Sequence, residues 1–403
     1  MKLKDIFEKP ISGEWGKEVG EGEKGSKVIR TTNFTNIGRL DLSSIVERDI
    51  DSIKHENKKL KFGDIIIEKS GGSPTQPVGR VVIFEETNEE VYFCNNFTSI
   101  LRPNKNIVPK FGLYLLKNLY NKKKVLKFQN KTTGIINIKL NDYLNNTEIT
   151  IPNLEVQDRI VEVLNKTQEL IDKRKEQIES LDELVKSKFI EMFGDPVINP
   201  KGWKYPKIEE VVANEKNAIK AGPFGSALKK EYYIKSGYKI YGQEQVISGD
   251  INLGDYYISE EKYKELENYA IKSNDVLISL VGTYGKLLIV PTIFEAGIIN
   301  PRLMKITFNS NLINTIYFKF FFQSESLRNR LSDNTHGGTM PILNVGIVRN
   351  INIPIPPIEL QNQFADFVKQ VDKLKFEMEN SLKKLEDNFN SLMQKSFNGE
   401  LFN

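Results

Sequence analysis

"ITIPNLEVQDRI" runs from Ile149 to Ile160, and "IPIPPIELQNQF" runs from Ile353 to Phe364. Each is a proline-bearing lead-in, a glutamate, a glutamine and the start of a long polar stretch with spaced apolar residues. Ile151 aligns with Ile355 at an offset of 204 residues, which also pairs Pro152 with Pro356, Glu155 with Glu359 and Gln157 with Gln361. The register continues without a gap through Leu170/Leu374, Leu181/Leu385 and Phe193/Phe397. An offset held this long marks an internal repeat, and a repeat constrains the fold before any motif does.

Both stretches read as long helices. In the first, Leu164, Ile171, Ile178 and Val185 are seven apart, with Leu170 and Leu181 beside them. In the second, Val371, Met378, Leu385 and Leu392 are seven apart, with Phe367, Leu374 and Leu382 between. This is a narrow heptad seam on a charged rod. The prolines disfavour helix before each start, and Gly194 or Gly399 is placed to stop it. Such a seam must be covered by a neighbouring domain, by a second copy, or by the other helix. The repeat favours the last. If a pseudo-twofold axis relates the halves, the helices run antiparallel, as a rod of roughly 55–60 Å.

Residues 1–150 and 195–354 precede the two helical segments, 151–194 and 355–403. They echo each other faintly. "FGDIIIEKSGG" from Phe62 resembles "SNDVLISLVGT" from Ser273, and "LKDIF" from Leu3 parallels "IEEVV" from Ile208. Short Val/Ile/Tyr runs between Gly, Asn and Asp turns predict β-rich α+β domains rather than βαβ units. The expected order is domain, helix, domain, helix, with a domain at each end of the rod. The apolar run "IYFKFFFQ" from Ile316 is interrupted by Lys319 and is far short of the roughly 18 residues of a membrane span; it predicts a buried helix.

The 403 residues carry a net charge of +4, which permits nucleic-acid binding without demanding it. One cysteine, Cys94, excludes an internal disulfide and cysteine-cluster zinc sites, and the two histidines, His55 and His336, offer little for metal binding or general acid–base work. No signal-peptide core opens the chain, so a cytoplasmic, non-membrane protein is the expectation.

The chain resembles, over its whole length, the specificity subunit of type I restriction–modification systems. The resemblance is carried by "GEWG" at Gly13, "VIRTTNFTNIGRL" at Val28, "GDIIIEKSGGSPTQPVGRV" at Gly63, "IPNLEVQDRIVEVL" at Ile151, "KAGPFGSALK" at Lys220, "GGTMPILNV" at Gly337, "IPIPPIELQNQF" and the terminal "SFNGEL". It implies two target recognition domains, each reading one half of a split double-stranded DNA sequence, and two spacer helices that set the unread gap. It implies a non-catalytic subunit that carries two modification subunits, which methylate adenine with S-adenosylmethionine, and restriction subunits, which translocate DNA with ATP. No cofactor is expected on this chain. A rod of this length predicts half-sites about 10 bp apart, centre to centre. The alternative is a coiled-coil scaffold with two β-rich interaction domains.

Several motifs compete with that reading. "GEGEKG" at Gly20 spells G-x-G-x-x-G, but a dinucleotide site needs it straight after a buried strand, and its two glutamates would face the phosphates. No Asn-Pro-Pro-aromatic or Asp-Pro-Pro-aromatic box is present to grip a flipped base. Asp64, Glu68 and Lys69 resemble a nuclease triad, yet adjacent residues on a strand point to opposite faces.

Residues suited to phosphates and base edges are Arg30, Thr32 and Asn33, then Lys69, Ser70 and Arg80, and Lys131 and Thr133 in a polar turn. In the second half they are Lys220, Ser226, Lys229 and Lys230 around a Gly-Pro-Phe-Gly turn whose glycines would admit a phosphate. Gln243 and Gln245 are expected on one strand face, suited to adenine, with Lys286 and His336 in later turns.

Overall fold

The computed structural model describes residues 1–73, 75–132, 135–280, 286–333 and 343–401, the side chains of residues 131, 132, 225, 226 and 333 aside. The chain divides into two compact units. The first is residues 1–175 with 380–403, and the second is residues 176–379.

The first unit holds β1 (Ile11–Ser12), β2 (Ser26–Ile29), β3 (Val46–Arg48), β4 (Ile65–Glu68), β5 (Ser70–Gly72), β6 (Val81–Ile83), β7 (Tyr92–Cys94), β8 (Thr98–Leu101), α1 (Pro109–Asn121), β9 (Gln129–Thr132), β10 (Ile135–Ile138), α2 (Leu140–Asn146) and the start of α3 (Leu154–Phe193). Its main sheet has the order β1-β8-β4-β6, all antiparallel. A second sheet, β3-β2-β7, joins an antiparallel to a parallel pair. A third has the order β5-β10-β9.

The run Ile65-Ile66-Ile67 shows why the main sheet lies inside. Ile65 and Ile67 face a core shared with α1, α2 and the long helices, and Ile66 faces a second core with Val82 and Ile100. A strand apolar on every residue is one covered on both faces, and each fully buried isoleucine contributes about 1.5–3 kcal/mol.

The second unit repeats the plan. It holds β11 (Ile219–Ala221), β12 (Tyr238–Tyr241), α4 (Gln243–Ser248), β13 (Tyr257–Ile258), α5 (Glu260–Glu265), β14 (Val276–Ser279), β15 (Leu287–Ile289), β16 (Gly297–Ile299), β17 (Leu303–Ile306), α6 (Thr315–Gln323), α7 (Glu325–Asp333), α8 (Val345–Arg349) and the start of α9 (Ile358–Phe397). The sheet β11-β17-β14-β15 has the directions of β1-β8-β4-β6, and β13-β12-β16 has those of β3-β2-β7. The "IYFKFFFQ" run forms the expected buried helix, with Tyr317, Phe318, Phe321 and Phe322 fully covered.

The two long helices pack together. In the second unit Asp182 of α3 receives Lys375 of α9 at 2.7 Å, while Phe193 meets Phe364 at 5.4 Å between ring centroids. One helix climbs as the other descends, so the pair is antiparallel. In the first unit Lys175 pairs with Glu386 at 3.0 Å, and Tyr114 touches both Asn165 and Phe389. Gly194 sits at φ +79° as the helix-ending glycine, its N–H donating to Ile190 O at 2.8 Å.

Of the seam residues, Leu164, Ile171, Val185 and Val371 are buried, and Ile178, Leu181, Phe367, Met378, Leu385 and Leu392 are half-buried. Leu374 is a correction: it is 42% exposed. The seam runs instead through Phe364, Val368, Lys375, Leu382 and Phe389. A lysine stands in the stripe because its stem lies along the groove while its ammonium reaches Asp182.

Candidate nucleic-acid interface

Each unit carries a turn at the end of its mixed sheet, and one amide side chain builds it. After β2, Asn33 accepts the Arg30 backbone N–H at 2.9 Å through Oδ1 and donates through Nδ2 to Asp41 O at 2.9 Å. After β12, Gln245 accepts the Gly242 N–H at 2.8 Å and donates to Leu253 O at 2.6 Å. Both amides are fully buried. The expectation that Asn33 and Gln245 read bases is therefore corrected, because their donors and acceptors hold backbone. Gln243 and Gln245 also lie on the short helix α4, not on a strand.

The turn residues form a polar ledge with the ends of β4 and β6 in the first unit. Arg80 forks onto Glu68, through Nε at 2.9 Å and Nη2 at 3.0 Å, and reaches Thr31 O at 3.4 Å. That bond to Glu68 holds the guanidinium more strongly protonated than usual. Lys69 donates to Ser12 Oγ at 2.8 Å, and half-burial lowers its pKa. Ser70 bonds Asn137 of β10. Arg30 donates from Nη2 to Ser44 O at 2.9 Å, and Thr32 is exposed. The nuclease-like group resolves into structural ion pairs, with Asp64 forked by Arg102 at 2.8 Å and Glu68 by Arg80.

In the second unit the same ledge has different chemistry. Gln243 donates to Ser279 Oγ at 2.8 Å, Ser279 standing where β4 has Glu68. Arg302 approaches Gln243 Oε1 at 3.4 Å. Gln243 and Arg302 line a groove of about 690 Å³ together with Lys230, Tyr233, Glu244 and Tyr256. Lys286 is exposed, and its carbonyl accepts the Ser279 N–H at 3.2 Å as Arg80 O accepts Glu68 N–H at 2.9 Å. Lys220 lies over the Tyr269 ring at 5.1 Å and bonds Asn217, while Lys229 pairs with Glu231 at 3.4 Å. Gly222 does not admit a phosphate: a Cβ there would lie 1.9 Å from Asn300 O, so its small size serves a backbone crossing. Thr133 and His336 lie outside the described residues, as do the side chains of Lys131 and Ser226.

The repeat pairs Gln157 with Gln361 without showing that both are buried clasps, and two further features carry no motif. Arg302 faces the groove without a motif around it. Residues 91–141 contain no Asp or Glu and ten Lys or Arg, a run that the acidic balance of the rest of the chain conceals in the total charge. Within it Lys123, Lys124 and Lys127 are exposed beside the β9–β10 hairpin.

Other chemistries find little support in the site. Burial pushes the Cys94 thiol up to about 11, away from nucleophilic use. The described residues hold no group of three His, Cys, Asp or Glu side chains placed to bind a metal. "GEGEKG" precedes β2 instead of following a strand, against the dinucleotide arrangement. No described helix is long and apolar enough to cross a membrane.

The chain is 27% identical over 279 residues to the MjaVIII type I restriction enzyme specificity subunit of Methanocaldococcus jannaschii, covering 65% of this chain and 64% of that one. It is 25% identical to the putative MjaX specificity subunit of the same organism, over 93% of this chain and 86% of the relative. A solved type I restriction–modification structure, described as the basis of complex assembly and conformational transition, superposes with a TM-score of 0.65 at 16% identity, over 100% of this chain and 97% of that one. The profile of the family described as "Type I restriction modification DNA specificity domain" matches residues 1–180 and 200–386, once for each repeat. The chain belongs to the type I restriction–modification DNA specificity family.

Proposed function

We propose that this chain is the sequence-reading subunit of a type I restriction–modification complex in the cytoplasm. Each ledge contacts one half of a split double-stranded target, and the paired helices hold the unread gap near one turn of B-DNA, about 10 bp. The observation that carries the reading is duplication: one chain builds the same turn and ledge twice and dresses them with different side chains. Phosphate contacts position each unit, and base contacts select the sequence.

The chain contributes recognition and no chemistry. Adenine methylation with S-adenosylmethionine belongs to modification subunits, and ATP-driven translocation and cutting to restriction subunits. Leu170 and Leu374 occupy equivalent repeat positions and are 53% and 42% exposed. The same apolar spot offered twice suits two copies of one modification subunit.

Single-molecule sequencing of host DNA, with the gene intact and deleted, tests the reading. A split adenine-methylated motif that vanishes on deletion supports it. Unchanged methylation, together with no salt-dependent DNA binding by the purified complex, overturns it in favour of a scaffold.

A further inference from the structure

The turn Asn95–Phe97 before β8 corresponds to Asn300–Arg302 before β17. Three pairs of backbone bonds establish the match. Asn95 N–H donates to Ile29 O at 2.9 Å, and Asn300 N–H to Tyr241 O at 2.8 Å. Phe97 O accepts the Lys69 N–H at 2.8 Å, and Arg302 O accepts the Leu280 N–H at 2.9 Å. Gly13 N–H donates to Thr98 O at 3.2 Å, and Gly222 N–H to Leu303 O at 2.9 Å. A Cβ on Gly13 would lie 2.0 Å from Asn95 O, and one on Gly222 would lie 1.9 Å from Asn300 O. The two turns are thus pinned alike, and their third residues emerge at the same place on each ledge.

Those third residues are unlike in chemistry but alike in exposure. Phe97 is 48% exposed. A lone surface phenylalanine is ordinary; its position is not, because its counterpart is an exposed arginine. Among the described residues the Arg302 guanidinium meets only the neutral Gln243 amide, itself held by Ser279. In the first unit Arg39, Arg80 and Arg102 lie on carboxylates, while Arg30 is held by Ser44 O. Among the described residues no carboxylate pairs with Arg302, although Glu244 also lines the groove; its planar fork of donors is turned toward that groove, and a fork of that geometry matches the O6 and N7 acceptors of guanine.

We propose that this turn is the base-reading element of both units, with Arg302 taking a guanine edge in the second half-site and Phe97 packing on a thymine methyl in the first. The inference deepens the DNA-reading assignment and rests on it.

Selection from a duplex library with a randomised core, using the complex with its modification subunits, tests it. The wild type enriches a split motif. Arg302→Ala and Arg302→Lys both lose preference at one base pair of one half-site, by roughly 5- to 150-fold. Phe97→Ala relaxes one position in the other half-site, and Phe97→Leu, which keeps an apolar surface, relaxes it less. If Arg302→Lys selects like wild type while Arg302→Ala weakens every sequence equally, Arg302 contacts phosphate and its proposed role is wrong. A motif unchanged in Phe97→Ala removes the role of Phe97. If the wild type enriches no motif, the DNA-reading assignment fails and this inference fails with it.

Discussion

Gln157 accepts the Val108 backbone N–H at 2.9 Å through Oε1, closing the start of α3 onto the start of α1. Its Nε2 donates to Pro152 O at 2.9 Å and to Asn106 O at 3.2 Å. Gln361 repeats the clasp, accepting from Asn314 N–H at 2.9 Å and donating to Pro356 O at 2.8 Å and Leu312 O at 2.9 Å. Both side chains are fully buried. Gln157→Ala strands one donor and two acceptors away from water and should lower stability by about 2–4 kcal/mol. Gln157→Glu should cost at least as much, because a carboxylate cannot donate to the two carbonyls. Urea unfolding gives both values, and a loss below the noise for either variant would show the clasp to be dispensable.

Lys117 provides a pH test. It lies largely buried on α1 and donates to Ile37 O. Desolvation, with Arg39 nearby, pushes its pKa down to about 8. The unfolded chain holds that proton up to about pH 10.4. Below pH 8 the fold therefore carries an ammonium it disfavours, and wild-type stability rises between about pH 8 and pH 10.4. Lys117→Met should be more stable than wild type at pH 7 by about 1–3 kcal/mol. The gap should shrink above pH 8, and thermal melts at pH 7 and pH 9.5 that show it widening would refute the assignment.

The helix pair separates packing from docking. Val371→Ala removes buried contacts and should cost roughly 1–3 kcal/mol. Leu374→Gln lies on the outer face and should change stability by less than about 0.5 kcal/mol. Combined with Leu170→Gln it should reduce co-purification of the modification subunits. Full recovery of both subunits by that double variant would place their docking surface elsewhere.

The basic run makes a separable prediction. Lys123, Lys124 and Lys127 are exposed point charges without a planar fork of donors, so replacing all three by Gln should weaken DNA binding uniformly across sequences. The slope of log K against log salt should fall by about 0.9 for each lysine that touches a phosphate. A changed motif with an unchanged slope would contradict this.

The repeat in the helices was legible because a seam of fixed period loses its register when residues are added or removed singly, so one offset of 204 aligns Gln157 with Gln361 and Leu164 with the buried Val368. In the β-rich parts the correspondence drifts with loop length: Asn33 answers to Gln245 and Phe97 to Arg302, at offsets of 212 and 205. No single register exposes both pairs. Asn33 and Gln245 misled for a chemical reason, since the donor and acceptor that suit adenine also suit two backbone groups. Leu374 misled because the seam position beside it holds Lys375, which a hydrophobic pattern passes over.

The glycine crossings at Gly13 and Gly222 fix the two turns through main-chain atoms, leaving the side chains of Phe97 and Arg302 out of the scaffold. Drift at those two positions costs the fold little. On the base-reading role proposed for this turn, such a chain would acquire a new target by point mutation while its architecture stays the same, and a lineage under changing invaders would retune one half-site while inheriting the other intact.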